Sequence, residues 1–292
     1  MTQAASLGRR FLDFFLVRLL LEGLAVAVAL TLLSLLHRAY RKGLLGLPYS
    51  ALAEGLVTVL LLYATIRVYA LAIRWLERRN ADEARPDARY AALGLLVGSA
   101  LFCAVYAVFA ALGIARFIGF GGGDGLRLAF LIAATSAVGE ELLFRGVLFR
   151  ILEDSFGTGA SLIFTAMLFG VMHAGNPGAS YFSTLGVALE AGVLLAVAYA
   201  WSRNLWLVIA LHFAWNFTEG GVFGAAVSGT ELHGLVRVPL STTAPDLLTG
   251  GAFGPEASVV AVILCLTVAA VFAVAATRAG RWQPWRFRLV LS

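Results

Sequence analysis

Continuous apolar sequence is the feature that most limits what this chain can become. Runs of about 20 residues with few or no charges recur at about 15–36, 49–70, 90–112, 126–149, 158–175, 185–201, 204–221 and 256–276. Each approaches the roughly 20 residues with which a helix crosses the hydrocarbon of a bilayer. A soluble protein could use such runs only by burying them all round, and most of its helices would need a polar face. Those faces are missing, and charged residues make up 13% of the chain, about half the roughly 25% usual in soluble domains. The sequence therefore predicts an all-α, polytopic transmembrane helical bundle of about eight spans. Residues 1–124 form an N-terminal region with about three spans, 125–221 a helical core of spans four to seven, and 222–292 an outer loop, a last span and a basic tail.

The net charge of +5 does not suggest nucleic acid, because the basic residues sit at the ends of the apolar runs. Arg9 and Arg10 precede the first span, Arg74, Arg78, Arg79, Arg85 and Arg89 lie between spans two and three, and Arg150 follows span four. Arg203 lies between spans six and seven, and Arg278, Arg281, Arg286 and Arg288 follow the last. Eight spans put all of these on one side, which the positive-inside rule makes cytoplasmic, with both termini there. Arg38, Arg41 and Lys42 fall on the other side and run against the pattern. The first run opens like a signal peptide but is too long, carries Asp13, Arg18 and Glu22, and ends without a small-x-small cleavage site, so it reads as a retained helix. Trp75, Trp201, Trp206, Trp282 and Trp285 fall near predicted helix ends, where amphipathic rings prefer to sit. Cys103 and Cys265 lie in apolar runs without metal-ligand spacing and read as two lipid-buried thiols. The segment from Phe223 to Pro255, rich in Gly, Thr, Ser and Pro, reads as a cap, a re-entrant piece or a disordered loop.

Charged residues inside a span are costly and call for partners or a function. The strongest cluster is Gly139-Glu140-Glu141-Leu142-Leu143-Phe144-Arg145 in span four. Glu141 and Arg145 are four apart and can pair on one helical face, which leaves Glu140 pointing elsewhere. Span five ends in Phe169-Gly170-Val171-Met172-His173, and span seven holds His212 and Asn216 on one face. A lone membrane histidine is often a packing residue, but two of them with an unpaired glutamate suit one polar cavity. Counting along the spans puts Glu140 and His212 at similar depth and His173 roughly 8–10 Å deeper.

Such a group suits attack of water on an amide. Glu140 can take the proton, a histidine can orient the water, and a neutral histidine with the Asn216 amide can donate to the developing oxyanion. Ser136, one turn before Glu140, reads as bonded to the helix backbone rather than as a nucleophile. Cofactor chemistry stays open: Glu140, His173 and His212 could together hold a divalent metal such as Zn, yet there is no His-Glu-x-x-His sequence, and the same residues can work without metal.

These motifs resemble those of the CPBP family, the CAAX prenyl protease type II and bacteriocin-processing group of intramembrane proteases. The glutamate pair with its arginine is Glu140, Glu141 and Arg145, the Phe-x-x-x-His motif is Phe169 to His173, and the later motif is His212 to Asn216. They occur in order over roughly residues 125–220, each on a predicted helix. The resemblance implies an intramembrane endopeptidase of the bacterial cell (inner) membrane, with Glu140 as water-activating base and His173 placing the water. It implies His212 and Asn216 as oxyanion partners, with Glu141 and Arg145 as site support. Relatives carry the name metalloprotease, yet they look more like glutamate-dependent enzymes. The implied partners are membrane lipid and a membrane-associated protein or peptide substrate, lipidated in some relatives. Two other readings compete. A non-catalytic scaffold or bacteriocin self-immunity protein of the same family would tolerate a neutral change at Glu140. A proton-coupled transporter would be expected to show an inverted repeat or paired broken helices, and neither is seen.

Overall fold

The computed structural model describes residues 12–288, so Arg9 and Arg10 lie outside the described residues. Every predicted span coincides with a helix. We label these α1 (Phe15–Arg41), α2 (Ala51–Leu76) and α3 (Ala88–Ala111). α4 begins as Leu126–Glu141, continues as a π-helix over Leu142–Phe149 and ends as Arg150–Phe156. α5 is Thr158–Met172, and α6 is Tyr181–Ser202 with a π-helical stretch at Ala188–Gly192. α7 is Leu205–Phe217, extended by a π-helical stretch at Thr218–Val222, and α8 is Val259–Arg278. Among these, α1, α2, α3, α6 and α8 are long and apolar enough to cross a membrane. α7 is enclosed almost all round and forms the centre of the bundle.

The helix starts are encoded locally. Ser50, Asp87, Asn204 and Ser258 each accept a backbone N–H of the helix that follows them, at the heads of α2, α3, α7 and α8. Each such cap is worth about 1 kcal/mol.

The most extensive helix contact is α3 against α7. It depends on Gly94-Leu95-Leu96-Val97-Gly98. A Cβ at Gly94 would lie 2.3 Å from the Leu207 carbonyl oxygen, and one at Gly98 would lie 2.3 Å from that of Leu211. Lipid is as apolar as the helices, so their association relies on close backbone approach across small residues. This crossing fixes the turn of α7 that carries His212.

One end of the bundle is tied by a buried ion network. Arg18 Nε donates to Glu77 Oε1 at 3.0 Å, and Arg150 donates to the same carboxylate at 2.7 Å and also to Glu22. Arg79 donates to both oxygens of Glu83 at 2.8 and 2.9 Å. Arg203 bonds Glu153 and the Arg281 carbonyl. The start of α1 and the ends of α2, α4, α6 and α8 therefore meet at this end, as the distribution of basic residues predicts. Arg18 and Glu22, unwelcome in the first apolar run, serve as its attachment points. At the opposite end, Arg41, Arg127, His37 and Tyr49 surround the buried Glu54, which occupies one of the three basic residues that run against the pattern.

The segment from Phe223 to Pro255 forms a cap over the bundle. Val236–Arg237 pairs antiparallel with Gly119–Phe120 in a two-residue ladder. Ser228 donates its N–H and hydroxyl to Glu256 at 2.9 and 2.8 Å. Of the two cysteines, Cys265 is buried inside the protein, whereas Cys103 lies on the outer face of α3.

Two predictions follow from this packing. Gly98→Val drives a side chain into the α7 backbone and should cost about 1–3 kcal/mol, seen as a lower midpoint of thermal unfolding in detergent; an unchanged midpoint would contradict the crossing. The second concerns acid. Burial alone would raise the carboxyls of Glu77 and Glu83, but Arg150 and Arg18 at Glu77, and Arg79 and Arg150 at Glu83, hold both below the usual carboxylate range. Their contribution is complete above the unfolded-state carboxylate pKa and is lost as pH falls through the lower folded-state value. Stability should therefore decline below about pH 4.5, and Glu77→Gln should flatten that decline; an equal slope in the variant would argue against the network.

Candidate active site

The three polar motifs converge on one cavity of about 160 Å³ between α4, α5, α6 and α7, under the cap. Glu140 Oε2 lies 3.9 Å from His173 Nε2 and 4.0 Å from His212 Nε2. These gaps exceed hydrogen-bond length and match the spacing that a bridging water fills. Glu140 Oε2 has no hydrogen-bond partner among the described residues.

His173 is level with Glu140, not deeper, which corrects the depth read from the spans. α4 runs to Phe156 rather than about residue 149, and the chain reverses at Gly157, whose φ of +87° favours glycine. Glu140 is 17 residues before that reversal and His173 is 16 after it, so antiparallel α4 and α5 bring them abreast.

Each histidine has its Nδ1 committed. α5 ends at Met172, and the His173 N–H turns to Gly170 O, which leaves the Phe169 carbonyl without its helical donor. The His173 ring meets it, with Nδ1 2.8 Å from Phe169 O. A carbonyl only accepts, so His173 carries a proton on Nδ1 and, when neutral, presents a bare Nε2 to Glu140. His212 Nδ1 instead lies 2.9 Å from Glu141 Oε1. A neutral His212 with its proton toward Glu141 has none to give at Nε2. With its Nδ1 proton toward Glu141, the His212 ring would donate from Nε2 only as the imidazolium, beside the Glu141 carboxylate.

Glu141 and Arg145 form the expected pair, with Nη1 donating to Oε1 at 2.8 Å and both side chains at 0% exposure. Arg145 Nη2 also donates to the carbonyls of Ala191 and Gly192 at 3.2 and 3.1 Å, and its guanidinium lies 4.9 Å from the Phe169 ring centre. A cation over an aromatic face in a desolvated site gains up to about 2 kcal/mol. Asn216 Nδ2 donates to Ser136 Oγ at 3.1 Å, and Ser136 bonds back to Ala133 O at 3.3 Å. Ser136 is therefore backbone-bonded as expected, but it also orients Asn216, whose second amide hydrogen is left for the cavity.

Several residues of the cavity were not foreseen. Glu190 and Glu256, both buried, form part of its wall. Glu190 was visible as an acid within span six. Trp215 also lines the cavity, and its buried Nε1 has no partner among the described residues. Glu140 further borders a second cavity of about 570 Å³, between α1, α2 and α4, whose rim carries His37, Arg38 and Arg41. The glutamate thus stands between two cavities, one of them walled mainly by α1 and α4.

Zinc does not fit the donors as they stand. Tetrahedral ligands at about 2.0–2.1 Å from zinc lie about 3.3 Å from one another, whereas Glu140 Oε2 is 3.9 and 4.0 Å from the two histidine nitrogens. Among the described residues, no group of three His, Cys, Asp or Glu is arranged to hold a metal ion.

The buried pair supports a prediction. Arg145→Ala removes the guanidinium from Glu141 and leaves it only the His212 ring, and breaking a buried ion pair costs about 3–5 kcal/mol. Both thermal stability and activity should fall; a purified variant with the wild-type unfolding midpoint would refute the pairing as a support of the fold.

Residues 123–218 match the family model Rce1-like, described as type II CAAX prenyl endopeptidase Rce1-like. No curated protein and no solved structure matches the chain. The matched stretch contains Glu140, Glu141, Arg145, His173, His212 and Asn216, and stops short of α1, α2 and α3. Over this helical core, about a third of its length, the chain is similar to the type II CAAX prenyl endopeptidases of the Rce1-like family.

Proposed function

We propose that the protein is an intramembrane endopeptidase that hydrolyses a peptide bond of a membrane-associated protein or peptide by glutamate-activated water. The observation that carries this reading is the convergence of Glu140 Oε2 with His173 Nε2 and His212 Nε2, 3.9 and 4.0 Å away, in a cavity inside the helical bundle. A water among these three atoms donates one hydrogen to Glu140 and the other to the bare Nε2 of His173. Its lone pair then faces the scissile carbonyl. As oxygen bonds to that carbon, Glu140 takes the first proton. The oxyanion receives hydrogen bonds from Asn216 Nδ2 and from Nε2 of the His212 imidazolium. Glu140 next passes its proton to the leaving nitrogen, the C–N bond breaks, and a carboxylic acid and an amine depart. No step passes through a metal.

Glu141 has a positioning role here, since it holds the His212 ring and its charge. Trp215 Nε1 offers a further donor for a carbonyl of the bound peptide. Lipidated peptides are one substrate class suited to a site that opens among membrane helices. The arginine-rich end of the bundle faces the cytoplasm, with both termini there, because positive residues favour that side.

The decisive experiment compares wild type with Glu140→Gln on a panel of prenylated and plain membrane-segment peptides, with and without chelator. The variant should lose about 10²–10⁴-fold in kcat and keep the wild-type unfolding midpoint, and chelator should leave wild type active. Turnover retained by the variant would remove Glu140 from the role of base, and activity lost to chelator would restore a metal. No cleavage by either protein, with the variant still complementing a deletion strain, would favour a non-catalytic scaffold or immunity protein. His212→Ala should lower kcat by about 10²–10³ with less change in KM; an effect confined to KM would reject a transition-state role.

A further inference from the structure

At the arginine-rich end, the guanidinium groups fall into two sets. Arg18, Arg79 and Arg150 are paired with Glu22, Glu77 and Glu83. Arg67, Arg74 and Arg85 line a pocket of about 220 Å³ between α2 and the loop that leads to α3. Among the described residues, none of these three guanidinium groups has an ion-pair or side-chain hydrogen-bond partner. Asp82 is the one acid in the pocket wall and lies beyond 4.0 Å of all three, which leaves the pocket with an excess of two positive charges.

We propose that this pocket binds the phosphate headgroup of an anionic phospholipid. Arg67 and Arg74 are seven apart and so share one face of α2, and Arg85 closes on them from the loop. Arg67 lies about two turns further into the span than Arg74, where an unpaired charge against lipid is costly. A phosphate relieves that cost, because guanidinium groups bind its oxygens by charge-assisted, often bidentate hydrogen bonds. Apart from Asn80, the remaining wall is largely apolar, with Ile66, Ala70 and Leu71. Next to the pocket, α2 exposes Leu56, Leu60, Tyr63 and Leu71, a strip that suits acyl chains. Trp75, 81% exposed, marks the interface level at which a headgroup resides. Basic pockets of this kind between membrane helices take anionic headgroups. The pocket shares no lining residue with either cavity at Glu140, so the assignment does not depend on the protease reading.

The test uses the full-length protein in bilayers of phosphatidylcholine and phosphatidylglycerol at 3:1, extracted in mild detergent, with bound lipid read by native mass spectrometry. Wild type should retain phosphatidylglycerol over phosphatidylcholine by about tenfold or more. The triple variant R67Q/R74Q/R85Q should lose that enrichment. The triple variant R78Q/R89Q/R278Q removes three charges from the same end but outside the pocket, and should keep it. Equal enrichment in the pocket variant, or equal loss in both triples, would overturn the site. Displacement of the lipid by millimolar inorganic phosphate alone would show an anion site rather than a lipid site, and would overturn the assignment as well. Should the pocket triple fail to fold, R74Q alone should still lower the enrichment at an unchanged helical circular dichroism signal, and an unchanged enrichment would count against the proposal.

Discussion

Arg145 has no exposed surface, and the arrangement of the central helices depends on where its guanidinium can be satisfied. It meets the Glu141 carboxylate on its own helix, two carbonyls at the π-helical stretch of α6, and the ring of Phe169 on α5. A charge in this environment is tolerable only when each of these is in place. α4, α5 and α6 are therefore held at fixed rotation, and Glu141 is held where it reaches His212 on α7. The pair that looks like simple neutralisation in the sequence thus links four helices. It also leaves Glu140, one residue earlier, facing the cavity.

The polar interior is made possible by two backbone devices. Small residues let backbones approach: Gly94 and Gly98 at α7, Gly170 against the Thr184 carbonyl of α6, and Gly192 against Ala166 of α5. Local widening does the rest. The three π-helical stretches follow Glu141, contain Glu190 and contain Glu219, so each coincides with an acid buried among helices. Such departures from α-helical winding are found often at functional sites.

Two histidines of the same type receive different roles from different partners. A neutral carbonyl faces Nδ1 of His173, whereas a carboxylate faces Nδ1 of His212 and would favour its charged form. The helix end at Met172 creates the first partner by freeing a carbonyl. The glutamate pair supplies the second.

Much of this was legible in the sequence. Run length and the missing polar faces determine a helical membrane bundle, because lipid is the only solvent for that much continuous apolar surface. The charged residues within spans mark Glu140, Glu141, Arg145, His173, His212 and Asn216 as one polar group, since each is costly unless it meets the others. The glycines four apart in span three were equally readable as a close-packing strip. Tertiary structure alone decided the rest. The level of His173 depended on where α4 ended, and helix ends are set by caps and by packing beyond the span. The contact of Glu141 with His212 joins residues 71 apart in the chain, and only the crossing of α7 over α3 brings them together. The protonation pattern of the two histidines follows from those contacts, because a ring nitrogen's proton is placed by whatever faces it.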